Sequence, residues 1–303
     1  MNMAGEFAYI DWLRKRTPAH PRVLIGPGDD CAALAPGSRP LLVTTDMLMD
    51  GTDFLLADVE PRRIGCKAMA VNLSDIAAMA GVPIAAVVSV ALPQTANARR
   101  LAEELYLGMR EMADRFQVPI VGGDTNSWDG KLVISVTLFG EATERGPVRR
   151  NGAKPGDLLF VTGPLGGSIL GRHLDFTPRI AEALALHEAV DIHAMIDISD
   201  GLSADLHHIL EESHCGATLY ADAIPIHPDA IVRSQSSGRS PLEHALTDGE
   251  DFELIFAVPP EQIARIPSHC YQIGECTRTG YIIVEGTTRR ELQPSGWVHP
   301  LPD

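Results

Sequence analysis

The sequence predicts a mixed α/β protein built as two domains, and three observations lead there. Short apolar runs alternate along the chain with longer amphipathic stretches. The 303 residues, 45% hydrophobic and 21% charged, suffice for two buried cores. Near the middle, RGPVRRNGAKPGD (145–157) breaks the pattern with Gly, Pro and positive charge. That composition marks a boundary, so domains over 1–144 and 145–303 are expected.

VLIG (23–26) and LLVTTD (41–46) read as strands from their apolar, β-branched content. Residues 62–80 carry helical spacing and stop at Gly81, with Pro83 beyond. IAAVVSVALP (84–93) is a strand and 96–116 a long amphipathic helix. VPIVGGD (118–124) and KLVISVTLFGEA (131–142) are strands joined by a polar loop. The second half opens with a strand at 158–162 and a Gly-rich turn at 163–167, then helices around 178–190 and 201–213. GEDFELIFAVP (249–259) and YIIVEG (281–286) read as late strands.

Composition narrows the partners. Forty acidic against 25 basic side chains give a net charge of −15, which repels polyanions, so no nucleic-acid partner is expected. No apolar run approaches the ~20 residues of a membrane span, and the first residues lack the order of a secretory signal. No membrane partner and a cytoplasmic location are therefore expected. The five cysteines are scattered without a C-x-x-C pair, against a disulfide framework and against a zinc site. They read as reduced thiols.

The aspartates carry the chemical signal. GPGDD (26–30), TTDMLMDGTD (44–53), NLSD (72–75), GGDT (122–125) and DISDG (197–201) each set Asp beside Gly, Ser or Thr. Singly, each is ordinary turn chemistry. NLSD differs, because it lies inside a helical pattern of Ala, Met, Val and Ile, where polar residues need partners. If the five converge, their carboxylates crowd one cleft and raise each other's pKa. Hard divalent cations with oxygen ligands relieve that crowding, and Mg²⁺ prefers a few carboxylates plus phosphate oxygens. Metal-bridged phosphate binding is the expectation.

Common nucleotide signatures are absent: no P-loop, no spaced G-x-G-x-x-G after a strand, no protein-kinase set. TGPLGGS (162–168) is open to two readings, a phosphate cradle or a strand-to-helix turn. His173, His207 and His208 lack metal spacing and read as surface or capping residues. No covalent nucleophile or catalytic base can be picked out.

At these segments the sequence resembles the thiamine-monophosphate kinase family, within the superfamily of aminoimidazole ribonucleotide synthetases. The resemblance is ordered along nearly the whole chain: GEF, G-x-GDDCA (26–32), TTD (44–46), KA-x-AVNLSD-x-AAM (67–79), GGDT, R-x-GAKPGD (150–157), HL-x₃-PR (173–179), D-x-SDGL-x-x-DL-x-HI (197–209), GEDFEL (249–254) and GW (296–297). It implies Mg²⁺ ligation by Asp30, Thr44, Thr45, Asp46, Asp75, Asp124, Asp197 and Asp200. It implies ATP contacts at Tyr106, Gly123, Asp124, Arg150 and Ser199, and thiamine-phosphate contacts at Asp53, Glu250 and Trp297. It also implies the aminoimidazole ribonucleotide synthetase-like fold, a homodimer that pairs the N-terminal sheets, and nucleotide held between the domains. Three features depart from the family pattern: a short segment after TGPLGGS, Phe176 in place of Pro, and DGEDFEL in place of GGEDYEL.

The reaction implied is transfer of the ATP γ-phosphoryl group to thiamine monophosphate, yielding thiamine diphosphate. The acceptor is a phosphate monoester with a second pKa near ~6, so it needs no base to become a nucleophile. Holding two anions in line and neutralising them is then the main task. An ATP-dependent synthetase of the same superfamily, a metal-dependent phosphatase and a non-catalytic thiamine-phosphate or nucleotide-binding protein are the alternatives.

Overall fold

The computed structural model describes residues 12–13, 15–25, 33–35 and 37–297. Asp30 and the rest of the GPGDD segment lie outside the described residues. The chain divides into two compact units, Met1–Ile76 with Gly81–Gly146, and Ala77–Ala80 with Pro147–Asp303.

The first unit holds a small antiparallel pair, β1 (Val23–Ile25) and β2 (Ala33–Leu34), and a four-stranded sheet. That sheet runs β3 (Leu41–Met49), β6 (Val133–Glu141), β4 (Val82–Pro93), β5 (Ile120–Trp128). Only β4 and β5 are parallel, and helix α2 (Ala98–Arg115) makes the crossover between them. Leu42, Leu48, Ile134, Val136, Leu138, Val88 and Val90 are buried, whereas the alternate residues Leu41, Val43, Met47 and Met49 are exposed. One face of the sheet is thus core, and the other is exposed along β3 but partly covered at Val87 and Phe139 by Val23 and Leu34 of the β1–β2 pair.

Helix α1 (Pro61–Ala78) is buried along almost its whole length, which explains a sequence apolar on every side. It meets α2 where Gly65 and Gly108 remove side chains. A Cβ at Gly65 would lie 2.1 Å from the Leu105 carbonyl oxygen, and one at Gly108 1.8 Å from that of Arg62. Glu141, at the end of β6, is held below the usual carboxylate range by hydrogen bonding from Arg22, with Arg39 helping against burial.

The second unit is built on a seven-stranded sheet ordered β13-β12-β9-β11-β7-β10-β8. The strands are β7 (Leu158–Val161), β8 (Ala194–Asp197), β9 (Gly216–Tyr220), β10 (Leu254–Val258), β11 (Tyr271–Thr277), β12 (Tyr281–Glu285) and β13 (Thr288–Glu291). The helices are α3 (Arg172–Asp175), α4 (Ile180–Ala189), α5 (Leu202–Ser213), α6 (Pro228–Ser237) and α7 (Pro241–Thr247). Leu202, Leu206, Ile209 and Leu210 of α5 join Leu159, Ile196, Leu219, Ile255, Ile273 and Ile283 of the sheet in one core. This packing fixes the start of α5 beside the end of β8.

Two sequence expectations need correction. The strand expected from Gly249 begins only at Leu254, because Gly249, Glu250 and Phe252 have φ of +74°, +53° and +51°. TTDMLM and GGDT, expected to close their strands, lie inside them: β3 continues to Met49 and β5 to Trp128. Among the described residues no helix is long and apolar enough to cross a membrane.

Candidate functional site

In the first unit, the alternation of β3 turns Thr44 and Asp46 toward the buried row and Thr45 toward the open one. The Thr44 hydroxyl donates a short hydrogen bond to Asp75 Oδ2, tying β3 to NLSD of α1. Thr45 instead donates to the Val136 carbonyl at 3.1 Å and accepts from Thr137 at 3.0 Å. Beside Asp75 on α1, Asn72 is fully buried, with its amide nitrogen on the Ala68 carbonyl and its Oδ1 unpartnered.

Gly123 and Asp124 sit on β5, the opposite edge strand from β3. Three strand spacings of ~4.8 Å put Asp124 about 14 Å from β3. The register aligns Asp46 with Val136, Val88 and Gly123, and Asp124 with Ser89, Ser135 and Met47. Thr44 and Asp75 therefore meet, while Asp124 belongs to a different row and strand. Gly123 has a structural reason to be glycine, since a Cβ would lie 1.9 Å from the Val88 carbonyl oxygen.

The loop after β3 is fastened from within. Asp53 accepts the Met49 N–H at 2.7 Å, and Asp50 accepts that of Leu56 at 3.0 Å. Lys67, 1% exposed, reaches out of α1 to the Asp53 carbonyl at 2.8 Å. Sequence reasoning missed Lys67; its signal is a cation in the apolar stretch between Ile64 and Val71 of α1. Tyr106 is buried, its ring against Trp12 at 5.4 Å and its hydroxyl 3.5 Å from that of Thr17.

In the second unit, the DISDG segment leaves β8 and enters α5. Ile198 and Phe252 form backbone bonds with Glu253 and Ile198 respectively, Glu250 N–H donates to the Ser199 carbonyl at 2.7 Å, and Trp297 N–H to that of Asp200 at 2.9 Å. The structure thereby joins Asp197, Ser199 and Asp200 to Glu250 and Trp297 through one loop. The Glu250 carboxylate is 3.0 Å from His173 Nδ1, while Trp297 is 51% exposed. Arg150 is exposed, and its carbonyl accepts from Ser213 at 3.0 Å.

Asp205, in the first turn of α5, lies inside the D-x-SDGL-x-x-DL motif but is not among the expected site residues. It is 2% exposed, and Oδ2 accepts the N–H groups of Asp200 (3.1 Å) and Gly201 (3.0 Å). Burial, then the charges of Asp197 and Asp200, push it up to about 8. Asp200, Asp205 and His208 each bring a donor atom within 4.8 Å of the others. The signal was an acid in the first turn of an apolar helix, where a carboxylate can reach back to the N–H groups before it.

The Gly-rich turn resolves as a structural turn. Gly166 N–H donates to the Asp251 carboxylate (2.9 and 3.0 Å), Gly167 N–H to Asp248 (3.1 Å), and Ser168 to the Gly249 carbonyl (2.7 Å). Those donors are already spent on acids of the chain. The departures noted in the sequence find partners nearby: Phe176 stacks on Phe252 at 4.0 Å, and Asp248 is met by Arg233, Arg239 and His244.

Magnesium, the metal implied by the resemblance, suits what is present. Thr44, Asp46 and Asp75 in one unit, and Asp197 and Asp200 in the other, offer only oxygen donors; in the second unit Asp197 and Asp200 lie near enough to Asp205 to add to the rise that burial causes in it.

Comparison with known proteins agrees along the whole chain. Residues 28–142 match the family model of the AIR synthase related protein, N-terminal domain, and 154–287 its C-terminal domain. The chain is 44% identical over 310 residues to the thiamine-monophosphate kinase of Rhodopirellula baltica, covering 97% of each. Among solved structures, it is similar to thiamine-monophosphate kinase from Stenotrophomonas maltophilia, with a TM-score of 0.78 and 31% identity over 92% of this chain and 96% of that one. It is also similar to AaThiL complexed with AMPPCP and TMP, at a TM-score of 0.77 and 30% identity over 98% and 97%.

Proposed function

The chain belongs to the thiamine-monophosphate kinase family of AIR synthase-related proteins, and from that premise we propose how its residues phosphorylate thiamine monophosphate at the expense of ATP. The observation that carries this reading is the end-to-end identity with a curated kinase.

In the first unit Thr44, Thr45, Asp46, Asp75, Asp124 and the Asp30 position, and in the second unit Asp197 and Asp200, would hold magnesium ions, which would neutralise phosphate charge. The chain itself orients those oxygens. Thr44 directs the Asp75 carboxylate, and backbone bonds from Glu250 and Trp297 direct the loop bearing Asp200. Tyr106, Gly123, Arg150 and Ser199 contact ATP, with the Arg150 guanidinium adding positive charge beside the phosphates. Asp53, Glu250 and Trp297 face the thiamine moiety, whose cationic ring suits carboxylates and an indole. His173 holds Glu250 in place for that role. An acceptor phosphate oxygen attacks the γ-phosphorus directly as its bond to the β,γ-bridging oxygen breaks and ADP leaves, without a phosphoenzyme.

The enzyme is a cytoplasmic homodimer. Cys215, Cys270 and Cys276, thiols rather than disulfides among the described residues, support a reducing compartment. The sheet face along β3, with Leu41 61%, Val43 57% and Met47 59% exposed, supports dimerisation.

Incubation with ATP, Mg²⁺ and thiamine monophosphate, with and without chelator, tests the reading by product identification. Chelator-sensitive thiamine diphosphate is expected. Free phosphate in step with ATP cleavage would instead indicate a synthetase or phosphatase.

A further inference from the structure

We propose that Asp205 is the positioning residue of the Asp197–Gly201 loop, fixing Asp200 in the orientation that receives a divalent cation. This rests on the magnesium-dependent reading above. Asp200 and Gly201 sit where β8 gives way to α5, and Gly201 has a φ of +122°. A glycine in that conformation restrains its neighbours poorly, so the loop must be held by outside bonds. On the carbonyl side those are Glu250 N–H to Ser199, Trp297 N–H to Asp200, and Asp205 N–H to Gly201 at 3.0 Å. On the N–H side, the Asp205 carboxylate takes both Asp200 and Gly201 through a single oxygen. The peptides flanking the Asp200 Cα are then fixed from two directions, and its side chain inherits that orientation.

The residue type separates this role from plain capping. An asparagine oxygen could accept the same two N–H groups without charge. A carboxylate that is 2% exposed beside Asp197 and Asp200 is unfavourable for folding alone. The oxygen facing the loop is already engaged by backbone, so Asp205 acts through Asp200, as groups behind metal ligands do.

Full-length Asp205→Ala and Asp205→Asn are compared with wild type and with Asp200→Ala. Mn²⁺ binding is read by electron paramagnetic resonance without substrates, and the Mg²⁺ concentration for half-maximal turnover is read separately. The Mn²⁺ component missing in Asp200→Ala should weaken by about 10-fold or more in Asp205→Ala, in line with other groups behind metal ligands. Asp205→Asn, which keeps an acceptor oxygen, should fall between Asp205→Ala and wild type. The Mg²⁺ requirement should rise in parallel, while KM for thiamine monophosphate stays within about twofold. Thermal melts in chelator confirm folding and choose the variant to be read. An unchanged Mn²⁺ component in either folded variant overturns the assignment. Absent thiamine diphosphate formation by wild type would strike the kinase reading alone, since the Mn²⁺ titration still decides the role of Asp205.

Discussion

Two buried acids of the second unit titrate far above the ordinary carboxylate range, for different reasons. Asp205 is pushed up to about 8 by burial and then by Asp197 and Asp200. Asp251 is pushed up to about 7 by burial, against the opposing pull of Arg172. In the unfolded chain both acids regain the ordinary aspartate value of 3.8. Between that value and about 8, the folded protein therefore binds more protons than the unfolded one, and stability falls as pH rises. Metal-free protein should melt at progressively lower temperature from pH 6 to pH 9, and Asp205→Asn should flatten that slope. Melting curves in chelator across the range provide the check. Trp297, tied by backbone to Asp200 but half exposed, belongs to the same scale. Trp297→Ala should raise KM for thiamine monophosphate several-fold and leave KM for ATP nearly unchanged, as steady-state kinetics with each substrate varied would reveal. Phe176 and Phe252, which both depart from the family pattern, pack on each other, and Asp248 is neutralised by neighbouring cations.

At the scale of elements, the join between α1 and β3 matters most. Thr44 and Asp75 are 31 residues apart, yet the hydroxyl meets the carboxylate because α1 is packed on the row that holds Thr44. Asp75→Ala removes both the link and a proposed metal ligand. It should lower kcat by about 10²–10³-fold, the scale of losing one transition-state stabilising group, measured at saturating ATP and Mg²⁺. The position of α1 depends in turn on the Gly65–Gly108 crossing with α2. An added methyl at Gly108 meets backbone rather than a yielding side chain, so Gly108→Ala should destabilise by about 3 kcal/mol, the upper end for overpacking. Urea unfolding would measure it. Strand limits were the least legible part at this scale. TTDMLM and GGDT carry turn-forming residues, yet register with β6 and β4 holds them extended. GEDFE looks like the start of a strand, but positive φ at Gly249, Glu250 and Phe252 serves the bonds to the DISDG loop. The short strands β9, β11 and β13 and helices α6 and α7 left little periodic signal, since each is defined by its neighbours.

Across the whole molecule, the first unit leaves Leu41, Val43, Met47 and Met49 on a sheet face exposed along β3. Val43→Glu combined with Met47→Glu should therefore give monomers in analytical ultracentrifugation where wild type sediments as a dimer. Retained dimer would remove the proposed interface. The sequence by itself determined the two-domain α/β plan, the order of the main elements and the aspartate motifs, because apolar periodicity and short motifs are local properties of the chain. Only the tertiary structure decided which acids meet. Thr44 finds Asp75 and Asp205 grips Asp200, while Asp124 stands on the far edge of its sheet, and the Gly-rich turn spends its N–H groups on Asp251 and Asp248. Those outcomes follow from strand order and helix packing, which set distances between residues far apart in sequence and which no local pattern encodes.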